Sequence, residues 1–461
     1  MQQNQTEELG TLSVGKLLFK LAMPAIAAQI INLLYNLVDR MYIGHIAKVG
    51  KLALTGVGVC LPLIMLISAF AALVSMGSAP RASIFLGKGE KDNAEKTLGN
   101  SFSLLVIISL ILTITFFCFS KDLLLAFGAS ENTIDYAVSY MKIYSIGTIF
   151  VQLTLGLNAF ISAQGFAKVS MMTVLIGAVC NIILDPILIF GFNMGVSGAA
   201  LATILSQSLS MIWIIIFLTG KKTTLKIKRK NLILSKSIVL PSIALGLAPF
   251  IMQSTESIIV CFNSSLLRYG GDIAVGAMTI LTSVMQFSLL PLTGLTQGGQ
   301  PILSYNYGAR KPERVKKAFK ILLISCLSYS IILWSLAMLT PKSFVLIFNN
   351  DPELLEFTAH ALRIYMALSG IFGIQIACQQ SFIALGNAKT SLFLALLRKV
   401  ILLIPLIYIM PLLMENKTKA VFMAEPVADF IAVTTTAILF YIQFRKAMYE
   451  ISDESCIDFN K

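Results

Sequence analysis

The sequence predicts an all-α integral membrane protein, with about twelve transmembrane helices in two six-helix bundles related by a pseudo-twofold axis along the membrane normal. Three observations predict it: the composition, the length of the apolar runs, and an internal repeat. The 461-residue chain is 56% hydrophobic and 13% charged, with a mean hydropathy of +0.81. Soluble domains carry about 25% charged residues, so this much apolar surface has no place to hide in water. Disorder, collagen and coiled coil are excluded on the same figures. Lipid offers backbone groups no hydrogen-bond partner, so a span is a helix or a closed barrel. The apolar runs are continuous over about 20 residues rather than alternating over about 10, which selects helices.

The runs fall at 17–43, 52–76, 94–119, 136–164, 170–191, 195–219, 238–266, 273–303, 315–339, 355–385, 390–413 and 419–444. Each is long enough to cross a hydrocarbon core of about 30 Å. One segment breaks the rhythm: 220–236 carries Lys221, Lys222, Lys226, Lys228, Arg229, Lys230 and Lys236 and no acid. It divides the chain into an N-terminal bundle (1–219), a basic linker (220–236), a C-terminal bundle (237–446) and a tail (447–461). The loops at 81–96 and 309–320 are also basic, and both lie an even number of spans from the linker. By the positive-inside rule all three face the cytoplasm, with both termini. The net charge of +13 is thereby accounted for by topology, without nucleic acid. Residues 1–16 hold no apolar stretch of the kind that forms a cleavable signal peptide. The seven cysteines show no paired spacing, and six sit inside apolar runs, which reads as packing rather than disulfides.

The repeat is read by setting the stretch from Gly77 beside that from Gly298. Gly77/Gly298, Pro80/Pro301, Ser83/Ser304, Gly87/Gly308 and Lys96/Lys317 pair at one offset of 221 residues. The same offset pairs Gly50 with Gly271, and Gly165, Ala167, Lys168 and Ser170 with Gly386, Ala388, Lys389 and Ser391. Six helices is an even number, so both halves enter the membrane from one side. Such duplicated bundles are an architecture of secondary transporters, which rock one bundle against the other around a central site.

Ionisable groups inside spans are costly and point to function. Asp39, near the end of the first helix, Asp185 on the fifth and Thr203 on the sixth come out at a similar depth, roughly 6–12 Å below the outer surface at 1.5 Å per residue. Asn181 and Asp185 share a face at i, i+4, and Pro186 frees a backbone carbonyl on the preceding turn. This hard oxygen set, from Asp39, Asn181, Asp185 and Thr203, suits Na⁺ or a shared proton. The bland alternative makes Asp185–Pro186 a kink and pairs Asp39 with Arg40. Glu256 sits mid-span on the seventh helix with Gln253 one turn away, and its repeat counterpart is Tyr35. These, with Gln375 on the tenth helix and Asp429 beside Pro426 on the twelfth, are candidates for substrate or proton binding. Glu425 lies one turn before Asp429, and Arg398 and Lys399 receive no role. The absence of a phosphate-binding glycine motif argues against ATP drive in this chain.

These stretches resemble the multidrug and toxic compound extrusion (MATE) family, in its MepA-like branch: LYNLVDRMYIG (34–44), LNAFISAQGFAK (157–168), NIILDPILIFGFNMGVSGAALAT (181–203), QPILSYNYGARKPERV (300–315) and AEPVAD (424–429). The resemblance implies a V-shaped pair of bundles that exports drugs in exchange for Na⁺ or H⁺. It implies a first-lobe cation site whose positions match Asp39, Asn158, Asn181, Asp185 and Thr203. Asn158 comes out deeper than the others by residue count. The family's helix-seven Glu matches Glu256, while an Asp that some members carry on helix ten is replaced here by Gln375. The reading that follows is a secondary antiporter for small lipophilic cations in the cytoplasmic membrane. It is lipid-embedded and monomeric, and needs no cofactor beyond the coupling ion. The rivals are a lipid-linked saccharide flippase, which would favour basic residues in a large cavity, a channel, and an intramembrane enzyme. The last would need a buried His or a nucleophile motif, whereas His45 and His360 are peripheral.

Overall fold

The computed structural model describes residues 4–46, 49–348 and 351–452; the side chains of Glu256 and Ser257 lie outside the described residues. Its regular structure is helical throughout that range. The first lobe holds α1 (Val14–Gly44), α2 (Gly50–Gly87), α3 (Lys91–Cys118), α4 (Ile134–Ile146 with Thr148–Ala163), α5 (Ala167–Gly191) and α6 (Val196–Thr219). The second holds α7 (236–270), α8 (271–308), α9 (Pro312–Leu339), α10 (Pro352–Tyr365 with Ser369–Ala384), α11 (Ala388–Leu413) and α12 (Lys417–Ser452). By length and hydropathy, nine segments among the described residues can cross a membrane, or eleven with the two bent pairs. The longest, Lys236–Gly308, is broken by Gly271 at φ 65°, ψ −163°. Dividing it there yields the twelve spans that the apolar runs predict.

The outward faces are those of a protein solvated by lipid. On α3, Ile107, Leu110, Ile111 and Ile114 recur at helical spacing and are 42–63% exposed, while Leu105, Ser109, Leu112 and Phe116 point inward and are buried. A soluble helix would bury the first set. Where lipid is the solvent, helices associate through close packing and small or polar contacts instead.

The repeat is visible as geometry. α4 bends by 57° at Gly147 and α10 by 47° across 366–368, the repeat-related place. The turns into α5 and α11 use Gly165 at φ 91° and Gly386 at φ 80°, where a Cβ would be strained. The lobes meet along two crossed pairs, α1 against α8 and α2 against α7. Gln29 Nε2 donates to Gln297 Oε1 at 3.1 Å across the first pair, and Phe70 meets Phe250 edge-on at 5.0 Å across the second. From there the seam runs to the end that carries the basic loops. A Cβ on Gly87 would lie 2.0 Å from the Tyr305 carbonyl oxygen, and one on Gly308 2.0 Å from the Ile84 oxygen. Ile84 and Tyr305 are themselves 221 residues apart, so the contact is reciprocal under the repeat.

A short helix, Asn4–Thr11, closes that end. Thr6 Oγ1 donates to the Gln164 carbonyl at 3.0 Å and meets Thr224, both on the first-lobe side. The carbonyls at its C-terminus accept from the second lobe: Asn306 Nδ2 to Leu9 (2.8 Å), Lys311 Nζ to Gly10 (2.9 Å) and Arg314 Nη2 to Leu12 (2.7 Å). These are the orphan acceptors of a helix end, met by cations and an amide as the helix dipole favours. Lys311 and Arg314 thus act beyond the general positive-inside bias assigned to their loop. The basic linker is docked as well. Gln164 Oε1 accepts from Thr223 Oγ1 and from the Thr224 and Leu225 amides, Asn100 Oδ1 accepts from the Ser235 amide at 2.6 Å, and Lys228 pairs with Glu95. That hydrogen bond to Glu95 raises the Lys228 pKa. The tail expected at 447–461 begins as the last turns of α12, and 453–461 lie outside the described residues.

Candidate functional site

In the first lobe, α1 delivers Asp39 and α5 delivers Asn181 and Asp185, because those two helices pack along their length. The i, i+4 spacing puts Asn181 Nδ2 3.3 Å from Asp185 Oδ1, with both residues buried. Asp185 and Asp39 stand within hydrogen-bonding range, and Tyr35 lies in the electrostatic field of both. Asp39 Oδ1, Asp185 Oδ2 and Asn181 Oδ1 are buried without a hydrogen-bond partner. Three unsatisfied oxygens from two helices are costly in a dry interior, and they fit a hard cation or a proton. Directly after Pro186 the helix widens into a π-turn over Ile187–Gly191. Such turns relieve a proline-broken ladder and recur at functional sites.

A cavity of about 50 Å³ adjoins this set, lined by Asn32, Tyr35, Thr154, Asn181, Thr203, Ser206 and Gln207 among others. Thr203 therefore lies with Asn181 as the depth count expects, its hydroxyl donating to the Ala199 carbonyl. Asn158 is placed elsewhere: its Nδ2 donates to the Ser170 carbonyl at 3.3 Å, toward the basic-loop end. Its Oδ1 is buried and unpartnered, but the contact shown is to the start of α5 rather than to the acid pair. Sequence reasoning missed Ser206, Gln207 and Tyr140. The first two belong to a polar stripe at Thr203, Ser206, Gln207 and Ser210, legible as i, i+3, i+4, i+7 on an otherwise apolar helix. Tyr140 reaches Thr203 and the field of Asp39, and stacks on Tyr144 at 6.0 Å.

The second lobe holds a larger cavity, of about 330 Å³. Gln253 and Gln375 line it, as do Met252, Phe262, Met278, Met285, Tyr365 and Phe372. Tyr35 does not belong to it, so the residues grouped for substrate binding divide between two lobes. Glu256 falls on a 3-10 turn, Thr255–Ile258, that interrupts α7; its side chain lies outside the described residues. Asp429 is not free. Arg398 Nε donates to Asp429 Oδ1 at 2.6 Å and Arg398 Nη2 to Glu425 Oε1 at 2.9 Å, with Lys399 Nζ 3.8 Å from the same oxygen. The guanidinium also lies over the Phe372 ring, 4.4 Å from its centroid. Arg398 and Lys399 sit in a π-helical stretch, Leu397–Leu403. Four ionisable groups of balanced charge thus meet at the cavity wall, which Arg398, Lys399 and Glu425 line, an arrangement that the sequence reading did not assign.

Two duplicated bundles closed at one end, with a polar cluster buried inside each, define a secondary transporter of the membrane rather than an enzyme. The MatE family model matches the chain twice, over 24–187 and 246–409, once in each lobe. The chain belongs to the MatE family. It is 25% identical over 425 residues to the multidrug export protein MepA of Staphylococcus haemolyticus, covering 91% of this chain and 93% of that one. It is 26% identical over 399 residues to MepA of Staphylococcus aureus, covering 86% and 87%. Among solved structures, a MATE in the bent conformation superposes with a TM-score of 0.91 at 21% identity, covering 98% of this chain and 99% of that one. An outward-facing multidrug resistance MATE family transporter of the MOP superfamily superposes at 0.87, with 22% identity and 95% and 98% coverage.

Proposed function

We propose that this transporter exports lipophilic organic cations in exchange for Na⁺ or H⁺ entering through the first lobe. One observation carries the reading: α1 and α5 bring Asp39, Asn181 and Asp185 together with three buried oxygens unpartnered. Two adjacent carboxylates repel unless a cation or proton comes between them. Binding from outside draws α1 toward α5, and release of the ion lets them part. Because α1 also packs on α8 across the seam, that movement is felt between the lobes. A one-for-one exchange of cations moves no net charge, so the drive is the coupling ion's own concentration gradient, about 1.4 kcal/mol for each tenfold.

The positive-inside bias of the basic loops supports a cell-membrane protein whose closed end of the seam faces the cytoplasm and whose lobes part toward the outside. The multidrug export of the MepA relatives and the Met and Phe side chains in the walls of the second-lobe cavity support a broad drug range. The flippase reading needs a cavity of net positive charge, and Arg398 and Lys399 are balanced by Glu425 and Asp429. The test is drug–cation exchange in proteoliposomes. Asp39→Asn and Asp185→Asn are expected to abolish uptake driven by a Na⁺ or pH gradient while leaving drug binding measurable. Exchange at the wild-type rate in both variants would overturn the coupling scheme.

A further inference from the structure

In the second-lobe cavity the donors closest to Glu425 and Gln375 in the network are committed: Arg398 Nε and Nη2 to Asp429 and Glu425, Gln375 Nε2 to Gln379 Oε1 at 3.2 Å, and Gln379 Nε2 to the Ser391 carbonyl at 2.9 Å. Two acceptors on residues that line the cavity are uncommitted. Glu425 Oε2 and Gln375 Oε1 are buried without partners, on side chains 2% and 4% exposed. Water-excluded acceptors of this kind are costly unless something donates to them. Around them the walls mix aromatic and thioether side chains with amides and hydroxyls.

We propose that this cavity is a ligand site for an organic cation that carries N–H donors, with Glu425 Oε2 and Gln375 Oε1 accepting from its protonated amine. The proposal rests on the drug-export reading above and names the group that the second lobe recognises. Arg398 is the positioning residue. By holding Glu425 Oε1 while also binding Asp429, it fixes the carboxylate with Oε2 left for the ligand. Lys399 Nζ, 3.8 Å from Glu425 Oε1, brings the cluster to neutrality. A donor-bearing cation satisfies both acceptors. A quaternary ammonium of the same shape satisfies the charge of Glu425 but leaves Gln375 Oε1 unpaired, so the site ranks amines above their quaternised analogues.

The experiment is equilibrium binding, without any gradient, of a fluorescent protonated amine and its fully N-methylated analogue to the full chain in nanodiscs. Glu425→Gln is expected to weaken the amine at least tenfold, the loss of one charge-assisted hydrogen bond. Gln375→Met, which leaves every ion pair in place, is expected to weaken the amine roughly three- to tenfold and to leave the quaternary probe within about twofold. The quaternary probe binding as tightly as the amine, or both variants binding the amine as wild type does, overturns the site. Loss of amine binding in Asp39→Asn alone places the ligand in the first lobe and likewise overturns it. Wild-type protein that binds neither probe defeats the drug-export reading and this site together.

Discussion

Substituting Gly308 by Ala is expected to push the transporter out of the conformation described here. The Cβ would stand 2.0 Å from the Ile84 carbonyl oxygen, and the atoms next nearest to it are also Ile84 backbone. Cβ atoms do not approach closer than 3.0 Å, so α8 and α2 must separate by at least about 1 Å, and a backbone carbonyl inside a helix has no rotamer by which to yield. Overpacking of this kind costs about 1–3 kcal/mol. Because it is felt only while the seam is shut, it shifts the ratio of shut to open seam by roughly 5- to 150-fold. Gly87→Ala, which meets the Tyr305 oxygen at the same 2.0 Å, is the repeat-related perturbation and is expected to act alike. The assay is pulsed electron resonance between spin labels at Lys51 and Asp272, repeat-related exposed positions at the opposite end of the lobes, in a cysteine-free background. As the basic-loop end opens, the far ends approach and the distance distribution moves shorter. Gly276→Ala is the control, since its Cβ would meet only the Leu354 Cδ1 at 3.7 Å. An unchanged distribution in both seam variants would refute the argument that these glycines hold the seam shut.

Two further outcomes follow from the polar contacts. Arg398→Met leaves Asp429 as a buried carboxylate without its counter-ion and Glu425 with only Lys399, at 3.8 Å. Unfolding free energy in bicelles should fall by about 3–5 kcal/mol and recover largely when Glu425→Gln and Asp429→Asn are added; an unchanged value would mean that the cluster is solvated. Arg314→Ala removes the donors to the Leu9 and Leu12 carbonyls, and amide exchange over Glu8–Leu12 should quicken roughly ten- to a hundredfold, as the loss of about 1.5–3 kcal/mol of charged hydrogen bonding requires. Exchange at the wild-type rate would show that the short N-terminal helix is held by its apolar contacts alone.

The sequence by itself determined the spans, the duplication and half of the polar chemistry. Continuous apolar runs permit only helices in lipid, and one constant offset forces two copies of one bundle. Asp39, Asp185 and Thr203 were legible because depth in a membrane follows from residue count along straight helices. Asn181 followed from i, i+4 spacing within one helix. What lies across helices was decided only by the tertiary structure. Arg398 reaches Glu425 and Asp429, 27 and 31 residues away, only because α11 and α12 pack with particular rotations, widened by the π-helical stretch. Asn158 faces Ser170 for a similar reason, since residue count fixes depth but leaves azimuth open. The bends in α4 and α10 and the 3-10 turn in α7 were hidden because hydropathy reports composition along a span and is blind to its dihedral angles. The short N-terminal helix was not legible because its partners, Gln164, Asn306 and Arg314, lie more than 150 residues downstream. Periodicity along the chain records which solvent each residue meets, lipid or protein; which residue meets which is set by how the twelve helices turn about their own axes.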